Sequence, residues 1–384
     1  MMKKAACIFL CAAILTSLCA CAKDRDNTAD KSQPAESSSQ ASSAAAPEAE
    51  VNYQAELDNI IKEYDFNGVV YITKDSKEVC SSTPKSSDES TGEITLDTQF
   101  CVGSISKEFA AVSILMLRDE GKLSVDDSLD AFFPEYEIGR DITVKNLLTM
   151  RSGVPDFYNS TDEDENSVSF SDDELPFQVY DESDSYDNQK ALKEWLFNQP
   201  LDFEPDTNFM YSNSNYLLLS MIVEQASGLD YHTFIRDNIF KPLGMEHSTF
   251  IDERKSAQFL AEETSSFDFA SYPGVSNGAG DIISTAGDID LWLTALRENK
   301  LLSEVSFTEM TTNYTESESP GYGYGVMLTK NGGLMHTGKI CSYISIAYTD
   351  PKKGYNLFAA SNDSLSTDES INELQDKILM NVMK

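Results

Sequence analysis

Gly103-Ser104-Ile105-Ser106-Lys107 opens a run in which Phe109, Ala110, Val112, Ile114, Leu115 and Leu117 are apolar around most of a helix from Ser106 to Leu117. A helix apolar on nearly every side is mostly buried, and a serine and a lysine stand at its start. Residues three apart share a helix face, and the Lys107 ammonium can therefore reach the Ser104 hydroxyl. A serine hydroxyl is a weak nucleophile until a neighbouring base takes its proton. The helix N-terminus adds N–H groups that suit a developing anion. By itself the spacing fits a helix-capping serine with a solvated lysine at least as well.

To the N-terminal side of this run, Tyr53 to Tyr64 has Leu57, Ile60 and Ile61 at helical spacing, and Gly68–Thr73 reads as a strand with a partner starting near Glu78 to Ser81. The polar segment Pro84 to Glu93 reads as a hairpin loop, and Gln99–Val102 leads into Gly103. Beyond the central helix, further helices are predicted at Val144–Met150, Ala191–Phe197, Asn215–Ala226, Tyr231–Ile239 and Ala286–Leu296, the last capped near Thr285. Strands return at Gly323–Thr329, Gly333–Thr337, Tyr343–Thr349 and Tyr355–Ser361, and Ile371–Met383 closes the chain as a helix. The pattern predicts an α/β (α+β) fold. One mixed antiparallel sheet is built from both chain ends and flanked by helices, with the helical middle inserted as a second lobe. A cleft between lobes is where ligands usually bind.

Two further motifs sit at element boundaries. Tyr211-Ser212-Asn213 precedes an apolar helix; a tyrosine and an amide on one loop suit a base and a carbonyl clamp, or simply a packed ring and a capping Asn. His336-Thr337-Gly338 ends an apolar strand, where a glycine admits close approach of a ligand backbone, or where a half-buried histidine packs.

In this order, Ser-x-x-Lys, Tyr-x-Asn and His-Thr-Gly, the chain resembles the serine β-lactamase and penicillin-binding protein superfamily. The Tyr-Ser-Asn and His-Thr-Gly forms resemble its class C-like branch of D,D-peptidases, D-amino-acid peptidases and esterases. Supporting stretches are 142–155, 211–228, 240–245, 278–280 and 284–288, and the resemblance spans about residues 52–384. It implies a β-lactamase/transpeptidase-like fold and an acyl-enzyme formed on Ser104. Lys107 would accept or relay the serine proton, and Tyr211 would act as general base and then protonate the leaving group. Both would need their pKa values depressed by burial and mutual charge. Asn213 would hold the substrate amide, and His336 would stand where close relatives carry Lys. Thr337, Gly338 and Lys339 would form the substrate edge, with the Ser104 and Lys339 N–H groups as oxyanion hole. No cofactor or metal is implied. The chain departs from the pattern at Cys341-Ser342, where a Pro-Gly or similar small pair is usual, at Met150, where many relatives have His, and at Asp206, where Gly usually follows Pro205.

The outer parts of the chain give an address. Lys3 and Lys4 precede an uncharged apolar stretch from Ala5 to about Ala20, as in a secretion signal. Leu18-Cys19-Ala20-Cys21 resembles a lipobox, so residues 1–21 are expected to be a lipoprotein signal that leaves Cys21 lipidated. Residues 22–50, rich in Ser, Ala, Asp, Glu, Gln and Pro, are expected to be a disordered linker. Residues 51–384 would then be a hydrolase domain lipid-anchored to the outer face of the membrane. Cys80, Cys101 and Cys341 remain after Cys21, enough for one disulfide at most. With 29 Lys plus Arg against 64 Asp plus Glu, the formal charge is -35, which excludes nucleic acid as a partner and opposes adsorption to anionic lipid. The expected partner is a small molecule or a peptidoglycan peptide, met by a monomer. Between Arg151 and Lys190 there is no basic residue. This acidic insertion, about 158–190, reads as a solvated loop or as a cation-binding or substrate-selecting one. A non-catalytic penicillin-recognising sensor and a β-lactamase remain as alternative readings.

Overall fold

A computed structural model describes residues 52–83, 93–158, 185–257, 260–261, 274–315, 320–362 and 368–383. The signal 1–21 with Cys21, the linker 22–50, nearly all of the polar loop 84–93 and most of the acidic insertion lie outside these residues.

Helix α1 (Tyr53–Glu63) leads into the hairpin β1 (Val69–Lys74) and β2 (Lys77–Ser82), and β3 (Phe100–Cys101) runs through a 3-10 turn, Gly103–Ile105, into α2 (Ser106–Asp119). The helical middle comprises α3 (Val144–Leu148), α4 (Ser185–Phe197), α5 (Asn213–Ser227), α6 (Tyr231–Ile235) and α7 (Lys241–Leu243). Then come β4 (Thr249–Phe250), β5 (Ile282–Ser284), α8 (Ala286–Arg297), α9 (Glu304–Met310), β6 (Gly321–Tyr322), β7 (Met327–Leu328), β8 (Leu334–Ile340), β9 (Tyr343–Asp350), β10 (Tyr355–Ser361) and α10 (Asp368–Asn381).

Both chain ends supply the main sheet, whose order is β2-β1-β10-β9-β8-β7-β6. Every pairing among these described strands is antiparallel; each consecutive pair is a hairpin or, for β1 and β10, a closure of the two ends. Strand alternation gives the sheet two different faces. On β10, Leu357 and Ala359 pack with Leu57, Ile60 and Ile61 of α1 and with Leu374 and Ile378 of α10. The intervening Phe358 and Ala360 face the larger core, with Phe109 of α2 and Trp292 of α8. Beside it, β3, β5 and β4 form a small antiparallel sheet.

Two predicted elements change shape. The strand expected over Gly323–Thr329 is instead a tight hairpin of two-residue strands. Gly323 N donates to Val326 O (2.8 Å), and Tyr324 N is taken by Met310 O at the end of α9 (3.0 Å). The helix expected to end at Ile239 continues through a π-type turn, Arg236–Phe240, and stops at Gly244 in the left-handed region. Thr285 does cap α8, accepting from Asp288 N.

Candidate active site

Three elements converge on the start of α2. Ser104 lies in the 3-10 turn, half-buried, and Lys107 one turn on is fully buried. The lysine is therefore not a solvated partner of a capping serine. Its Nζ stands 3.0 Å from Ser104 Oγ, 2.8 Å from Asn213 Oδ1 and 2.6 Å from Ala279 O. The last two oxygens can only accept, and three acceptors around one nitrogen match the three donors of an ammonium. Burial of a charge is tolerated here because it is hydrogen-bonded on several sides.

Asn213 is the first residue of α5, following Ser212 as cap. Its side chain does no capping. Oδ1 accepts from Lys107, and Nδ2 donates to both carboxylate oxygens of Asp156, at 3.0 and 3.3 Å. The loop before α5 is seated on Met150, whose sulfur lies 3.4 Å from Ser212 N and 3.3 Å from Asn215 Nδ2. The unusual methionine thus fills an acceptor's place, though a thioether is a weak one. Asp206 has φ +66°, a backbone that suits glycine; Arg151 Nε holds its carboxylate at 2.7 Å. Tyr211 stands over the ammonium, with Nζ 4.9 Å from its ring centroid. Its ring also lies 6.2 Å from those of Tyr322 and His336.

The third element is β8. It pairs with β9 along its length, whereas β7 covers only Leu334 and Met335. The segment from His336 to Ile340 therefore has its other edge unpaired by β7 and turned towards Val102 and Gly103. A two-residue loop, Cys341-Ser342, makes Ile340 and Tyr343 the closing pair. Antiparallel alternation then turns the main-chain groups of Thr337 and Lys339 away from β9. Lys339 N lies where a Cβ on Gly103 would be 2.7 Å from it, and Gly103 has φ +52°; both facts call for glycine. A Cβ on Gly338 would likewise overlap Val102 O. The two small residues let β8 close against the Ser104 turn.

His336 is 1% exposed, far more buried than a half-exposed strand histidine. Its Nδ1 lies 2.6 Å from Thr337 O. A carbonyl only accepts, so Nδ1 carries the proton and Nε2 keeps its lone pair. Nε2 is buried with no hydrogen-bond partner among the described residues. Burial, and after it the Lys107 charge, push the imidazole down to about 3, against the opposing pull of the Thr337 carbonyl. His336 is thus neutral and supplies no cation at this position.

Next to Lys107, Glu108 turns to the other side of α2, where Trp292 Nε1 donates to its Oε2 at 2.7 Å. Complete burial raises its carboxyl to about 8, the indole hydrogen bond lowering it only in part. Tyr216 and Tyr322 are also held well above the ordinary phenol range, chiefly by burial.

The structure therefore brings Ser104, Lys107, Tyr211, Asn213, His336 and the Gly338–Lys339 edge to one place. Thr337 lies on the same edge with its carbonyl engaged by His336. The residue pattern assigns no role to Asp156 or to the Ala279 carbonyl. Gly278-Ala279-Gly280 does stand out as a glycine-flanked stretch, but nothing local to Asp156 distinguishes it from any other acidic residue. Among the described residues no cluster of His, Cys, Asp and Glu could hold a metal ion, and no helix is long and apolar enough to cross a membrane.

A profile of the Beta-lactamase family matches residues 54–379. A penicillin-binding protein of Bacillus subtilis (strain 168) is 26% identical over 308 residues, covering 73% of this chain and 64% of that protein. The chain thus spans less than two thirds of that relative's length. A teichoic acid D-alanine hydrolase of Staphylococcus aureus (strain MRSA252) is 22% identical over 303 residues, covering 77% of this chain and 70% of its own. Among solved structures, D-amino acid amidase from Ochrobactrum anthropi SV3 superposes with a TM-score of 0.69 at 24% identity, covering 86% of this chain and 97% of that one. At such identity the superposition speaks for the fold alone.

Proposed function

The chain belongs to the beta-lactamase family, a family of serine hydrolases, and on that basis we propose that it hydrolyses an amide or ester through an acyl-enzyme on Ser104. The observation that carries this reading is the buried Lys107 ammonium 3.0 Å from Ser104 Oγ, anchored from behind by Asn213 and Ala279. In this reading Lys107 stays charged and the proton of Ser104 passes to Tyr211, whose phenolate the ammonium stabilises. Oγ attacks the carbonyl carbon, and the oxyanion develops against the N–H groups of Ser104 and Lys339. The Tyr211 proton then leaves with the amine or alcohol, and water hydrolyses the acyl-enzyme in the second half of the cycle.

The substrate class proposed is a D-alanyl-type peptide or ester. A similar protein bears a name that points there, a teichoic acid D-alanine hydrolase. Neutral His336 supports a β-lactam carboxylate less well than a fixed cation would, so turnover of β-lactams is the second reading and nitrocefin its test. The lipobox-like 18–21 and the polar linker 22–50 support an exported protein tethered outside the membrane through Cys21. Cys21→Ser should move the protein from the membrane to the soluble fraction; an unchanged distribution removes the tether.

The deciding experiment is intact-mass spectrometry after incubation with a fluorescent penicillin, with p-nitrophenyl acetate hydrolysis measured beside it. A stable adduct that Ser104→Ala abolishes supports a slowly deacylating penicillin-binding peptidase. Ester turnover without an adduct, again lost in Ser104→Ala, supports an esterase. Equal behaviour of parent and Ser104→Ala in both assays refutes the assignment.

A further inference from the structure

Asp156 is a buried carboxylate (3% exposed) that follows Pro155 in a loop bolted to α5. Ser214 Oγ donates to Pro155 O (2.6 Å) and accepts from Phe157 N (2.9 Å), while Tyr158 N donates to Asp156 Oδ1 (3.0 Å). The carboxylate is therefore held rigidly relative to the residue it touches in the site, Asn213.

An Asn side chain offers two donor hydrogens and two acceptor lone pairs, and its two ends look alike in shape. Which end faces Lys107 matters chemically. A flipped amide would set Nδ2 against the ammonium, donor against donor, and would leave an oxygen facing the Asp156 carboxylate. With the amide as observed, Lys107 takes one lone pair of Oδ1 and Asp156 takes one hydrogen of Nδ2. One N–H is left over, with no partner among the described residues. A carbonyl on the substrate is the matching group.

We propose that Asp156 is a positioning residue that works through Asn213. It fixes the amide so that its oxygen orients Lys107 towards Ser104 and its remaining N–H is presented to the substrate carbonyl. The order Asp156–Asn213–Lys107–Ser104 is then a single hydrogen-bonded line from a rigidly held buried carboxyl group to the nucleophile. The proposal rests on Ser104 being the nucleophile.

The test is a double-mutant cycle on the full chain, with p-nitrophenyl acetate as probe and Ser104→Ala as control. Asp156→Ala should lower kcat/KM about ten- to a hundredfold, as expected for loss of orientation next to the nucleophile. In an Asn213→Ala background the same substitution should cost no more than about twofold, since its effect passes through the missing amide. Asp156→Asn keeps an oxygen able to accept from Nδ2 and should recover most of what Asp156→Ala loses; Asp156→Leu, close in shape but unable to accept, carries the same cycle should the alanine variant fail to fold. Parental kcat/KM in Asp156→Ala, or a full additional loss in the Asn213→Ala background, overturns the proposal, as does an Asn variant no better than the Ala one. If Ser104→Ala hydrolyses the ester as fast as the parent, the nucleophile assignment falls instead, a result none of the Asp156 variants can mimic.

Discussion

The two faces of the seven-stranded sheet are built to opposite specifications. The face under α1 and α10 is filled by Leu57, Ile60, Val70, Ile72, Ile346, Leu357, Leu374 and Ile378. Its stability comes from apolar area removed from water. The face under α2 also has an apolar body, yet it buries Lys107, Glu108, Asn215, His336 and Asp156. Each buried polar group costs free energy unless a partner is supplied. There the partners are drawn from α5, the 278–280 loop and α8. One face can therefore vary in detail so long as volume is kept, whereas the other is bound by a pattern of donors and acceptors.

The contrast can be tested from either side. Leu374→Ala, on the apolar face, should destabilise the fold by roughly 2–5 kcal/mol through lost transfer energy and a residual cavity, as read by chemical denaturation. Hydrolysis per folded molecule should stay within about twofold of the parent. A collapse of activity in the folded variant would mean that the faces are coupled. On the polar face the expected effect depends on pH. Glu108 has its carboxyl raised from 4.5 to about 8, so the folded state holds that proton more tightly than the unfolded chain. The corresponding stability is fully present below pH 4.5 and is lost as pH rises through about 8. The amide introduced by Glu108→Gln cannot ionise but can still accept from Trp292 Nε1. Parent stability should therefore fall relative to Glu108→Gln between about pH 5 and pH 8, by about 1.4 kcal/mol per pH unit and on the order of 4 kcal/mol across that window. Parallel pH profiles for the two proteins would place an ionised, compensated carboxylate at Glu108.

Much of the fold is legible in the linear chain because its signals are local. Strand β10 coincides with the predicted Tyr355–Ser361, and α2 begins at the predicted Ser106. Gly323–Thr329 misled because its apolar alternation matches a strand, while the capture of Tyr324 N by Met310 O lies outside any local window. Helix α9 is faint in the linear chain for a related reason: it has only seven residues and one strong signal, the Ser303 cap.

For the site, the linear chain dictates which chemistry-bearing side chains exist and on which element boundaries they sit: Ser104 and Lys107 on one helical turn, Asn213 at a helix start, His336 on a strand. Closure of the chain sets their state. Lys107 meets Asn213 across 106 positions and Ala279 across 172, and Asn213 meets Asp156 across 57. The neutral form of His336 depends on burial and on the Lys107 charge. Helix and strand periodicities report only on neighbours a few residues away. The orientation of an amide and the charge of a buried imidazole depend on groups that meet only in the folded molecule.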